Sequence, residues 1–161
     1  DVRWPARLEI LSKDGRRIVM DGAHNPYSMK RLVQAVRQYF TFDNLILIFG
    51  ALGGHSARGM IAELADLSPT VIVTRSRHPR SSPSASLAEI VSGHGLRVAF
   101  SADNVGEAAR KALEIAEERD LILATGSLSV VAEVKEEIEG IIPEVYPNLK
   151  PPPNVGAQRV I

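Results

Sequence analysis

Leu45-Ile46-Leu47-Ile48-Phe49, followed at once by Gly50-Ala51-Leu52-Gly53-Gly54-His55-Ser56, decides the fold. Five apolar residues in unbroken succession leave no face for solvent. The segment is therefore expected to be a strand buried on both sides, as in a parallel sheet covered by helices. Working outward, shorter apolar runs recur at Val71–Val73 (VIV) and Leu121–Ala124 (LILA). Leu96–Phe100 (LRVAF) alternates instead, which suits a sheet edge. Near the start, Arg7–Leu11 (RLEIL) and Arg16–Met20 flank Ser12-Lys13-Asp14-Gly15, and Asp-Gly between two such runs predicts a hairpin.

The intervening segments carry helical spacing. Met29, Leu32, Val33, Val36 and Phe40 form one apolar stripe on a helix starting near Pro26, a good first-turn residue. Met60, Ile61, Leu64 and Leu67 form a shorter stripe that Pro69 ends, and Ser84–Val91 is a weak helix behind Pro83. Val105, Ala108, Ala109, Ala112 and Ala116 mark the strongest helix, with Asp103 as its expected N-cap. Val130, Val131, Val134 and Ile138 mark the last, stopped by Gly140. The order β-β-α-β-α-β-α-β-α-β-α predicts an α/β, Rossmann-like fold. Its sheet is six-stranded and mostly parallel, with helices on both faces and one antiparallel strand from the N-terminal hairpin. Residues 1–140 read as one domain, and residues 141–161, with Pro143, Pro147 and Pro151–Pro153, as a Pro-rich tail.

Composition narrows the function classes. The 161 residues are 45% apolar and 24% charged, ordinary for one globular domain. Lys+Arg and Asp+Glu both number 19, so no global basic field draws in nucleic acid or anionic lipid. No Cys is present, which excludes disulfide scaffolds, thiol catalysis and Cys-ligated zinc. The longest apolar run, Leu45–Phe49, is far too short to span a membrane, and no secretory signal is visible, so a cytoplasmic location is expected. The first residue is Asp1 rather than Met, as in a fragment of a longer protein.

In an open parallel sheet, ligands bind beyond the carboxyl ends of the strands. Four polar segments fall there: Asp21–Pro26 (DGAHNP), Gly50–Ser56 (GALGGHS), Thr74–Ser81 (TRSRHPRS) and Thr125-Gly126-Ser127. Asp21 can accept two ribose hydroxyl protons, and the His24 imidazole can donate to a phosphate or carboxylate. Asp21 and Asn25 equally suit helix capping. The Gly50–Ser56 loop can offer backbone N–H groups to an anion, or can be a plain strand–helix turn. It is neither a Walker A loop nor G-x-G-x-x-G. The basic loop carries Arg75, Arg77 and Arg80, three guanidiniums in six residues that can bind an anion or simply be solvated. Ser127 can donate to a ligand or cap the last helix. The four histidines, His24, His55, His78 and His94, show no metal-ligand spacing, and no metal site is expected. There is no G-x-S-x-G elbow either.

Five strings in order make the chain recognisable: Trp4-Pro5-Ala6-Arg7-Leu8-Glu9, Asp21–Pro26, Phe49-Gly50-Ala51-Leu52, Pro79-Arg80-Ser81 and Thr125-Gly126-Ser127-Leu128. Over roughly residues 3–139 it resembles the C-terminal domain of folylpolyglutamate synthase/dihydrofolate synthase, in the Mur ligase superfamily. DGAHNP is the most specific piece. The resemblance implies a three-domain, ATP-dependent amide ligase when the protein is complete. ATP phosphorylates a folate carboxylate, and the amine of L-glutamate attacks the acyl phosphate. The P-loop and the main Mg²⁺ ligands belong to the preceding N-terminal domain, the partner of this one, so the fragment alone is expected to be inactive.

Carried over by motif, Asp21 would bind the ATP ribose and Arg7 would reach toward the phosphates. His24, the implied catalytic residue, and Asn25 would sit at the domain junction near the nucleotide and the incoming amino acid. Ser127 would lie near the glutamate carboxylate, and Arg80 on the same rim. Two departures stand out: the family's Asp-Lys-Asp string after F-G-x-L is Gly53-Gly54-His55-Ser56 here, and W-P-G-R is W-P-A-R. The alternatives are a non-catalytic, stand-alone Rossmann-like binding domain and a Mur-type ligase domain acting on another carboxylate. Roughly 250–300 upstream residues with G-x-x-x-x-G-K-[ST] would mark the ligase.

Overall fold

Asp14 and Gly15 both have positive φ (50° and 76°), the geometry of the hairpin turn whose twist matches its strands. In this computed structural model, which describes residues 8–142, they join β1 (Glu9–Lys13) to β2 (Arg16–Met20). The turn is two residues long, so Ser12 and Lys13 belong to the strand rather than to the expected loop, pairing with Arg17 and Arg16. Arg7, Trp4-Pro5-Ala6 and residues 143–161 lie outside the described residues.

The remaining elements follow in the expected order: α1 (Pro26–Tyr39), β3 (Leu45–Phe49), α2 (Ala57–Leu64), β4 (Thr70–Val73), α3 (Ser84–Gly93), β5 (Arg97–Ser101), α4 (Val105–Ile115), β6 (Leu121–Thr125) and α5 (Leu128–Glu139). The strands form one sheet in the order β1-β2-β6-β3-β4-β5. Only the β1–β2 pair is antiparallel. The alternating strand β5 lies at an edge, as its pattern predicts. Among the described residues no helix is long and apolar enough to cross a membrane.

Strand alternation splits the core into two layers. Val19, Leu45, Leu47, Phe49, Val71, Val73, Leu121 and Leu123 face α1, α2 and α3. Ile18, Met20, Ile46, Ile48, Ile72, Ile122 and Ala124 face α4 and α5. Both sides of LILIF are thus covered, and each fully buried Ile or Leu contributes about 1.5–3 kcal/mol. On α4, Ala108, Ala109 and Ala112 are at most 1% exposed, and their short side chains let the helix lie close on the sheet.

Two helix ends differ from expectation. The N-cap of α4 is Asn104, not Asp103: Asn104 Oδ1 accepts from Glu107 N at 2.8 Å, while Glu107 reaches back to Asp103 N. Burial of Val105 at the first helical position sets this register. Helix α2 stops at Leu64, and the chain tightens into a 3₁₀ turn over Ala65–Leu67, which still buries Leu67, before Ser68 turns left-handed (φ 48°). Gly140 ends α5 at φ 66° as expected.

Candidate functional site

The connections from β2 and β3 rise to one face of the sheet, and that from β6 to the other. Since β6 lies between β2 and β3, the chain diverges on both its sides, the kind of switch point at which α/β sheets bind ligands. Three of the loops are knitted together there. Gly126 N donates to Ala23 O at 3.1 Å, and Gly50 N to Thr125 O at 3.5 Å. Gly50 packs so tightly that an added Cβ would lie 2.7 Å from Val130 Cγ2.

The DGAHNP bend is organised by its own polar groups. Half-buried Asp21 does not cap α1. Its Oδ1 accepts from Ala23 N at 2.8 Å and its Oδ2 from Leu8 N at 3.1 Å, so the acid shapes the bend and holds the chain ahead of β1. Asn25 is the cap: Asn25 Oδ1 accepts from Ser28 N at 2.8 Å, and Ser28 Oγ accepts from Asn25 N. His24 is left exposed. A carbonyl only accepts, so the 3.0 Å contact to Gly22 O puts the proton of a neutral imidazole on Nδ1 and leaves the Nε2 lone pair unprotonated.

The structure brings a second histidine to this bend. The ring of His55 lies 5.5 Å from that of His24, tilted by 38°. Two buried polar atoms at this rim, His55 Nδ1 and Thr74 Oγ1, have no hydrogen-bond partner among the described residues. In the sequence His55 stands out only as part of the Gly50–Ser56 loop and as one of four histidines, with nothing local to tie it to His24.

The loop after β4 is fastened on two sides. Toward β3, Leu52 bridges Ser81, Gly53 N donates to Arg80 O at 2.6 Å, and Ser82 N to Ala51 O at 2.8 Å. Toward α5, both oxygens of Glu133 accept from Arg77 N, at 3.2 and 3.0 Å, and the Arg77 guanidinium grips Glu136 at 2.8 Å. Of the three expected guanidiniums, Arg77 is therefore spent on structure. Arg75 and Arg80 are exposed and make no ion pair among the described residues. Ser127, 2% exposed, caps α5 by accepting from Val130 N at 3.1 Å. Asp21, His24, Asn25 and Ser127 thus share the rim around β6, Arg80 stands on the neighbouring loop, and Arg7 lies outside the described residues. Among the described residues no three His, Asp or Glu side chains form a cluster able to hold a metal ion.

Burial raises the Glu133 carboxyl above the ordinary glutamate range; the Arg77 backbone N–H and guanidinium act the other way. The folded state therefore binds this proton more tightly than the unfolded state does. Its contribution to stability is full below the ordinary glutamate range and is lost as pH rises through the raised value. Urea titrations from pH 4 to 7 should show wild-type stability falling relative to Glu133→Gln as pH rises. Parallel pH profiles would show that the burial has no such effect.

The family model described as "Mur ligase, glutamate ligase domain" matches residues 6–128. A Haloferax volcanii protein named as a probable bifunctional folylpolyglutamate synthase/dihydropteroate synthase is 29% identical over 92% of this chain and 18% of its own length. The UDP-N-acetylmuramoyl-L-alanyl-D-glutamate–L-lysine ligase of Streptococcus sanguinis is 35% identical over 77% of this chain and 27% of its own. The structure of E. coli FolC in complex with DHPP and ADP superposes with a TM-score of 0.76 at 26% identity, over 85% of this chain and 32% of that one. The chain thus spans less than a third of each of these three proteins.

Proposed function

This chain belongs to the Mur ligase, glutamate ligase domain family, and from that premise we propose that it is the C-terminal module of an ATP-dependent folate–glutamate ligase. The observation that carries the reading is the DGAHNP bend. It holds a half-buried carboxylate and an exposed imidazole whose Nδ1 meets Gly22 O, at the carboxyl ends of the strands where α/β sheets bind ligands.

The donor set fits a nucleotide and a dicarboxylic amino acid. Asp21 suits ribose hydroxyls, while Arg75 and Arg80 carry unspent positive charge for phosphate or carboxylate. ATP, when bound, supplies the phosphoryl group that activates the folate carboxylate. The amine of glutamate arrives protonated and must lose a proton to attack; His24 Nε2 is the lone pair that takes it. Asn25 stiffens the turn that carries His24, and Ser127 with Arg80 orients the acceptor's carboxylates. Closure against a P-loop domain would exclude water from the activated carboxyl. Mg²⁺ ligation is assigned to that partner domain.

A second reading, a Mur-type ligase acting on another carboxylate, draws support from His55 standing where the folate family carries charge, and from the lysine-adding relative. The intact gene product decides between them. With ATP, a folate and L-glutamate, it should form ADP and amide in equal amounts, whereas the isolated 161-residue chain should form none. Turnover with a UDP-linked muramyl peptide but not with folate would favour the second reading. No ADP with either would leave a binding domain.

A further inference from the structure

Four serine hydroxyls stand in one hydrogen-bonded file across the rim. Ser127 Oγ lies 3.0 Å from Ser129 Oγ, Ser129 Oγ 2.9 Å from Ser76 Oγ, and Ser76 Oγ 2.7 Å from Ser81 Oγ. The ends belong to different loops: Ser127 opens α5, and Ser81 sits beside Arg80 in the loop after β4. Ser76, Ser81 and Ser127 are 5%, 9% and 2% exposed, so their protons are not freely satisfied by bulk water.

A serine hydroxyl has one proton and two lone pairs. Four hydroxyls bring four protons, and the three contacts use three of them. One proton is left over, and when all three contacts run the same way along the file it falls to Ser127 or to Ser81. The backbone does not choose between them: Val130 N donates to Ser127 Oγ and, at a long 3.4 Å, His78 N to Ser76 Oγ, and either direction of the file tolerates both. In one direction every hydroxyl donates toward Ser127, which then turns its proton outward. In the other, Ser127 donates inward and offers a ligand only a lone pair. A carboxylate is an acceptor only, so it selects the first direction, and each donating hydroxyl strengthens the next.

We propose that this file aims the Ser127 proton at a carboxylate of the incoming amino acid, with Ser129 and Ser76 as positioning residues that act through Ser127. The proposal rests on the ligase reading above and adds a part to it. No bond to an oxygen is made or broken; the hydroxyls only rotate. It also couples two loops, because the direction that makes Ser127 a donor leaves Ser81, next to Arg80, as an acceptor.

The test is a two-residue cycle on the intact gene product, with glutamate varied at saturating ATP and folate. Ser129→Ala should raise the KM for glutamate about fivefold, the scale of one net hydrogen bond, and move the KM for ATP by less than about twofold. Ser129→Thr, which keeps the hydroxyl, should restore it. The double variant Ser127→Ala/Ser129→Ala should match Ser127→Ala alone, because Ser129 acts on the substrate through Ser127. Additive losses, or a wild-type KM in Ser129→Ala, overturn the proposal. Should Ser129→Ala fail to fold, Ser76→Ala replaces it in the same cycle. A wild-type enzyme that ligates a different amino acid overturns the glutamate reading, and the cycle run with that amino acid still decides the file. Absence of ligation with every amino acid overturns both.

Discussion

Gly126→Ala is expected to destabilise the domain by roughly 3–5 kcal/mol, combining left-handed strain with overpacking. Gly126 has φ +109°, and an added Cβ would press on the Gly50 carbonyl oxygen and lie 2.9 Å from Phe49 Cε2. Neither neighbour can yield, because Gly50 is itself wedged against Val130 and Thr74, and Phe49 is fully buried. Against a total stability of about 5–15 kcal/mol for a domain, such a loss is large. Gly15→Ala is the control. Gly15 is also left-handed (φ +76°) but meets nothing within 4 Å, so only the strain of about 1–2 kcal/mol applies. Urea unfolding followed by circular dichroism reads both. Equal midpoints for the two variants would mean that the rim loops are looser than the packing around Gly126 implies.

The second large effect concerns chemistry rather than stability. His24→Ala in the intact gene product should lower kcat for ligation by about 100-fold or more, the scale of losing a positioned proton acceptor. The exposed ring contributes little packing, so the melting curve should barely move. The bend itself survives, since Asp21 Oδ1 and the Asn25–Ser28 cap hold it without the imidazole. Wild-type turnover in His24→Ala would take the imidazole out of the proton path and leave it as one half of a ring pair with His55.

Much of the architecture was legible from runs and stripes. A strand covered on both faces has no choice but to be continuously apolar, so LILIF and LILA announced themselves, and LRVAF announced an edge. Boundaries were harder where two side chains compete for one role. Asp103 and Asn104 are both good caps, and the burial of Val105 decides between them. The rim motifs were visible as strings, but their internal division of labour was not. Asp21 as a brace for Leu8 and Ala23, and Arg77 as a partner of Glu133 and Glu136, depend on neighbours that only folding supplies. The same holds for the serine file, whose Ser76–Ser129 contact spans 53 positions, and for the His24–His55 pair. No local spacing encodes such meetings.

The Leu8 amide hooked onto Asp21 Oδ2 makes the acid a mooring post for the polypeptide arriving at β1. Leu8 is kinked there, at φ +46°, where a bulky side chain seldom rests. The hook and the kink share one carboxylate, so the entry into β1 and the bend after β2 are set together.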